Sequence, residues 1–280
     1  MQANPKQPPK KPTKQEIFEC LNRSGYMLES KLVRRLDEAS FFVEPNQSIS
    51  DQRTGKSREI DILAEYFDPD RDHPGVTVIT HFVMEVCNNT FPFVLMTTRP
   101  ISPVMAPQED YLKFVTAPRE DSKDHPFLGE LDLYESYGVE EWRPFSQWCA
   151  LTRKKSGEEL MASHSEDVYS SILKMAEYTL DTIEQWSSFS SDRRRWRVVI
   201  WRPVMVLKDD LMVLNERRGR RPGLKNVTSA KYEFNFHYKE QPRTMIIDFV
   251  TEANLIPFLM GIVNNDQTCE EHLFQIKGRI

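Results

Sequence analysis

No stretch of this chain stays apolar for anything near the roughly 18 residues that a membrane-spanning helix needs. The longest candidate, VVIWRPVMVL (198–207), is interrupted by Arg202. The opening residues, MQANPKQPPKKPTK, contain no apolar signal core, so nothing argues for secretion. Cysteine is scarce: Cys20, Cys87, Cys149 and Cys269 are scattered and form no CxxC pair. That pattern fits reduced thiols better than a disulfide framework or a zinc site, and a cytoplasmic location is the expectation. No phosphate loop, GxSxG, HExxH or dinucleotide fingerprint occurs, and no internal repeat is visible. Nucleotide hydrolase, esterase, zinc-protease and dehydrogenase chemistries therefore find no support.

Positive charge is also in deficit. The 280 residues hold 37 Lys and Arg against 42 Asp and Glu. Residues 1–14 contain four lysines and no acid, which leaves the remainder more acidic still, at 33 basic against 42 acidic residues. An acidic body argues against a general electrostatic grip on nucleic acid, so any such binding has to use local patches. RRRWR (193–197) and RRGRRPGLK (217–225) are two such patches, and Trp196 is available to stack on bases. Solvated loops are the plain alternative for both.

What is present organises into one α/β domain. Residues 1–12, rich in Pro and Lys, are expected to be a disordered basic tail, and residues 13–280 a single domain without a linker. Thr13 and Glu16 have the spacing of a capping box before IFECL, and Ser24-Gly25 breaks the chain before a second helix over Tyr26–Glu38. SREIDILAEY (57–66), the run from Val76 to Cys87, and FPFVLMTT (91–98) read as three strands. Residues 99–145 carry little periodicity. Ser163 and Glu166 form another capping box before an amphipathic helix to Trp186. WRVVIWRPVMVL and LMVL, on either side of Lys208-Asp209-Asp210, read as a hairpin. KYEFNFHY and TMIIDFVT add strands, and a final helix is expected from Glu252 to Val263. This order predicts a central mixed β-sheet flanked by helices.

Three acids stand where apolar residues are expected. At about 100° per residue, Glu29 falls inside the stripe of Leu28, Leu32, Val33 and Leu36, while Lys31, Arg34, Arg35, Asp37 and Glu38 lie outside it. An arginine-paired glutamate at the stripe edge is the alternative. Asp61 interrupts a strand between Ile60 and Ile62, although alternation also allows it to face solvent with Glu59. Glu85 lies among Val83, Met84, Val86 and Cys87, in a strand apolar on both faces and so central. An ionised carboxylate there must meet a cation, either a buried Arg or Lys or a metal ion. Taken together, carboxylates from two adjacent strands and a packed helix suit Mg²⁺ and phosphodiester cleavage.

The ordered set resembles the PD-(D/E)xK superfamily, the restriction-endonuclease-like nucleases, over residues 24–265. SGYMLESKLVRRL is similar to the first helix with its glutamate, REIDILA to the strand with the motif aspartate, and VMEVCNNTFPFVLMT to the strand ending in (D/E)xK and its successor. The resemblance implies an α-β-β-β-α-β core and Mg²⁺ or Mn²⁺ held by Asp61 and Glu85 with help from Glu29. It also implies hydrolysis of DNA or RNA. The departure is Cys87, which occupies the lysine position of the motif. A neutral thiol cannot supply the lysine's fixed charge and is too soft to favour Mg²⁺. Three alternatives follow: Lys31 or Lys174 on a helix replaces that lysine, metal alone suffices, or the fold serves as a catalytically degenerate module that binds nucleic acid or a protein partner. His81 shares the face of Glu85 as either a supporting or an edge residue, and Asp248 reads as structural.

Overall fold

The structure is a computed structural model of the chain and describes residues 11–50, 55, 57–66, 75–98, 112–116, 144–154, 157, 159–186, 196–215 and 222–277. The expected disordered tail, apart from residues 11 and 12, lies outside the described residues, as do residues 193–195 and 217–221 of the two basic patches.

Helix α1 (Lys14–Ser24) begins with the expected capping box. The Glu16 N–H donates to Thr13 Oγ1 at 3.2 Å, and the Thr13 N–H donates to Glu16 Oε2 at 2.7 Å. It ends at Gly25, whose left-handed φ of 94° turns the chain directly into α2 (Tyr26–Glu38). Strands β1 (Phe42–Ser50), β2 (Ser57–Tyr66) and β3 (Val76–Cys87) then form an antiparallel meander. Strands β4 (Phe93–Thr98), β5 (Leu112–Thr116), β6 (Phe145–Arg153) and β7 (Leu160–Ser163) precede helix α3 (Glu166–Trp186). After α3 come β8 (Trp196–Leu207), β9 (Leu211–Asn215), β10 (Gly223–Val227), β11 (Ser229–Tyr238), β12 (Gln241–Thr251) and helix α4 (Leu255–Lys277). The result is mixed α/β, with one twelve-stranded mixed sheet in the order β1-β2-β3-β8-β12-β11-β6-β4-β9-β10, and with β5 beside β8 and β7 beside β6.

Apolar side chains cover both faces of the central strands. On one face Leu63, Ile79, Val83 and Met205 pack with Ile172, Met175, Ala176 and Ile183 of α3. On the other, Ile62, Phe82, Met84 and Val204 pack with Leu28, Leu32 and Leu36 of α2 and with Leu255, Leu259 and Val263 of α4. Successive residues of β3 alternate between these two cores, so Glu85 shares the α3 face with Val83. Among the described residues, no helix is long and apolar enough to cross a membrane.

Three expectations need correction. The first strand is not the one expected at residue 57: β1 precedes it, so the three-strand meander is β1–β3 and β4 lies elsewhere. Its Glu44, Pro45, Asn46 and Gln47 obscure the alternation of a strand. The expected hairpin around Lys208-Asp209-Asp210 is not one: β8 runs parallel to β3, and β9 parallel to β4. The β3–β4 and β8–β9 connections turn the same corner side by side. The Lys208 N–H donates to the Cys87 carbonyl at 3.0 Å, the Asp209 N–H to Asn89 Oδ1 at 3.1 Å, and the Phe93 N–H to the Asp210 carbonyl at 2.9 Å. Finally, the last helix continues past Val263 to Lys277, because Asp266 is anchored in the interior rather than marking an end.

Candidate active site

The site lies at the end of β3, where that strand reaches the corner. The β2–β3 ladder pairs Ile62 with Met84, which sets Asp61 and Glu85 opposite each other one step further along. Both project from the α3 face. Like charges directly across an antiparallel pair repel, so this placement requires a compensating group. Asp61 Oδ2 accepts the Val86 N–H at 2.8 Å, so the carboxylate fixes its own position on the neighbouring strand.

The compensating group is Lys174. Its ammonium, on the α3 side of the sheet, is 2.7 Å from Glu85 Oε1 and 4.0 Å from Asp61 Oδ1. It also donates to the Glu59 carbonyl oxygen. Ser171, three residues earlier and on the same side of α3, hydrogen-bonds the Glu85 carboxylate. Glu85 is 1 % exposed, and Oε1, although close to the ammonium, receives no well-directed hydrogen bond. Burial first, and the Asp61 charge second, push the Glu85 carboxyl up to about 7, against the opposing pull of Lys174 and Ser171. Asp61 is also raised, by burial above all, with the Val86 N–H and Lys174 opposing. Lys174 thus offsets only part of the cost of burying these two acids.

Glu29 joins them from the first turn of α2. It is half-buried, and its carboxyl is raised by burial and then by the charge of Asp61, with Lys174 opposing. The structure thus brings Glu29, Asp61 and Glu85 into one electrostatic neighbourhood. Cys87 belongs to it too, but as a neutral thiol: burial pushes its pKa up to about 11, and the Asp61 charge adds to the rise. Lys31, the other candidate lysine, pairs with Glu252 at the opposite side of α2, where Arg35 Nη1 donates to the Glu252 carbonyl at 3.0 Å. His81 faces Glu65, with Nδ1 3.6 Å from Oε2, and Asp248 pairs with Lys231 at 2.7 Å. Neither of these pairs forms part of the acid group. Ser171 carries no sequence signal that would single it out, since a serine beside the apolar stripe of a helix is ordinary.

Among the described residues, no group of three or more His, Cys, Asp or Glu side chains converges into a ready-made metal cage. The paired acids nevertheless fit Mg²⁺ or Mn²⁺. Mg²⁺ commonly uses one or two carboxylates and completes its shell with waters and substrate phosphates. Asp61 and Glu85 offer two hard carboxylates on one face, with the Lys174 ammonium beside Glu85 Oε1 at 2.7 Å. Compared with protein-family models, with curated proteins and with solved structures, the chain finds no match.

Proposed function

We propose that the chain is a divalent-metal-dependent phosphodiesterase of the nuclease type that acts on DNA or RNA. Asp61, Glu85 and Lys174 are its working residues and Glu29 assists them. The observation that carries this reading is the convergence of a lysine from α3 on two carboxylates that face each other across adjacent strands. The order α2, β1, β2, β3, α3, β8, with β4–β7 inserted between β3 and α3, supports a restriction-endonuclease-like core, with acids on its second and third strands and helices on both faces. In this reading Lys174 takes over the charge that Cys87 cannot supply.

Asp61 and Glu85 would hold Mg²⁺ or Mn²⁺ through their oxygens. When bound, the ion supplies Lewis-acid polarisation of a phosphoryl oxygen and acidification of a water molecule. The protein's own contribution is positional and electrostatic. Lys174 brings fixed positive charge to the place where negative charge grows on the phosphoryl group as the water oxygen bonds to phosphorus and the ester P–O bond breaks. Glu29 adds negative charge that favours cation binding. Cys87 fills its place without charge.

Single- and double-stranded DNA and RNA, incubated with the full chain and Mg²⁺ or Mn²⁺, test the proposal. Wild-type protein is expected to cleave at least one of them, and Glu85→Ala to lower the rate on the order of a hundredfold. Retention of nucleic acid without cleavage supports the degenerate binding module instead. Cleavage untouched by Glu85→Ala, or neither cleavage nor binding, overturns the assignment.

A further inference from the structure

Asn88 is the first residue beyond β3 and stands three positions after Glu85. Its side chain fastens the α1–α2 corner to the sheet. Nδ2 donates to the carbonyl of Arg23 at 2.8 Å and to that of Asn22 at 3.2 Å. These are among the last carbonyls of α1, which have no intrahelical N–H to accept from. Only a donor can stand against two carbonyl oxygens, so the orientation of the amide is fixed. Oδ1 then points away from them and is buried without a hydrogen-bond partner.

The corner itself is Gly25, which ends α1 and starts α2 with a left-handed φ of 94° and no side-chain cap for α2. A Cβ at this position would stand 3.5 Å from Asn88 Cβ and 3.6 Å from Glu29 Oε1. Asn88 and the Glu29 carboxylate therefore flank one small gap, and the missing side chain of Gly25 keeps it open. Helix α1 has no buried residues of its own, so packing of α1 does not hold this corner in place.

We infer that Asn88 is a positioning residue. By tying the end of α1 to the end of β3, it sets the first turn of α2 so that the Glu29 carboxylate stays on the side of Asp61 and Lys174. The inference rests on the metal-binding reading of that pair, and the experiment separates failure of the one from failure of the other.

Mn²⁺ is titrated calorimetrically into full-length wild type, Asn88→Ala, Glu29→Gln and the double variant. Asn88→Ala is expected to weaken Mn²⁺ binding by about tenfold, in the range seen when the supports of metal ligands are removed. The double variant is expected to bind no more weakly than the weaker of the two single variants, because both substitutions remove the same contribution. Asn88→Leu, which fills similar space without a donor, must match Asn88→Ala, and circular dichroism must show unchanged helix content. Wild-type affinity in Asn88→Ala overturns the inference and leaves the acid pair standing. Additive losses do the same, since Asn88 then acts independently of Glu29. Absence of Mn²⁺ binding by the wild type overturns the metal reading and the inference with it.

Discussion

Two buried carboxylates in this protein meet their cations in different ways. Asp266 is enclosed by Arg202, which donates from Nε to Oδ2 at 3.2 Å and again from Nη2, and by Thr80, whose hydroxyl donates to Oδ2 at 3.0 Å. Glu85 has one ammonium, one serine and a second acid across the strand pair. Burial above all, and then the Asp61 charge, raise its carboxyl from 4.5 to about 7, and burial raises Asp266 too despite its fuller set of partners. The folded protein then holds a proton on Glu85 that the unfolded chain releases near pH 4.5. In metal-free protein, stability from this group is complete below about pH 4.5 and is lost as pH rises to about 7. The loss is of the order of 3 kcal/mol at 1.36 kcal/mol per pKa unit. Glu85→Gln in EDTA should flatten the fall in urea-unfolding free energy between these two pH values. The raised carboxyls of Asp61 and Glu29 retain a weaker slope of the same sign. An unchanged slope in the variant would show that Glu85 is ionised throughout.

At the scale of elements, the same contrast explains what the sequence disclosed about the helices. Helix α2 and strands β2 and β3 follow the spacing of their apolar residues, and their bounds are those expected from it. Helix α4 does not, since Asn264-Asn265-Asp266 looks like the polar end of a helix. The sequence could not indicate that Arg202 waits inside the sheet for Asp266, because that pairing exists only after β8 and α4 are packed. The Lys208-Asp209-Asp210 turn misled for a related reason. Its hydrogen-bond partners come from Cys87, Asn89 and Phe93, more than a hundred residues away, and not from the two strands it joins. Asp266→Ala is expected to destabilise the fold by about 3–5 kcal/mol, since it leaves the buried guanidinium without this carboxylate. The paired change of Arg202→Met with Asp266→Leu should cost much less, because both charges leave together. Urea midpoints of the two variants check this, and equal losses would contradict the buried-pair account.

For the whole molecule, the sheet and its corner place chemistry where no local pattern locates it. Glu29, Asp61 and Glu85 were legible as a group because each sits among apolar neighbours on its own element. Lys174 was legible only as one of two candidate lysines beside Lys31, and the choice needed the fold, because Lys174 lies about ninety residues beyond Glu85 in the chain and meets it only through the packing of α3 on β3. In the proposed reading, Lys174 from α3 supplies the charge that a thiol at position 87 lacks. Single-turnover cleavage with saturating Mn²⁺ compares wild type, Lys174→Met, and Lys174→Met combined with Cys87→Lys. The account predicts a loss on the order of a hundredfold in Lys174→Met and substantial recovery when lysine is placed at position 87. Full activity in Lys174→Met would contradict it.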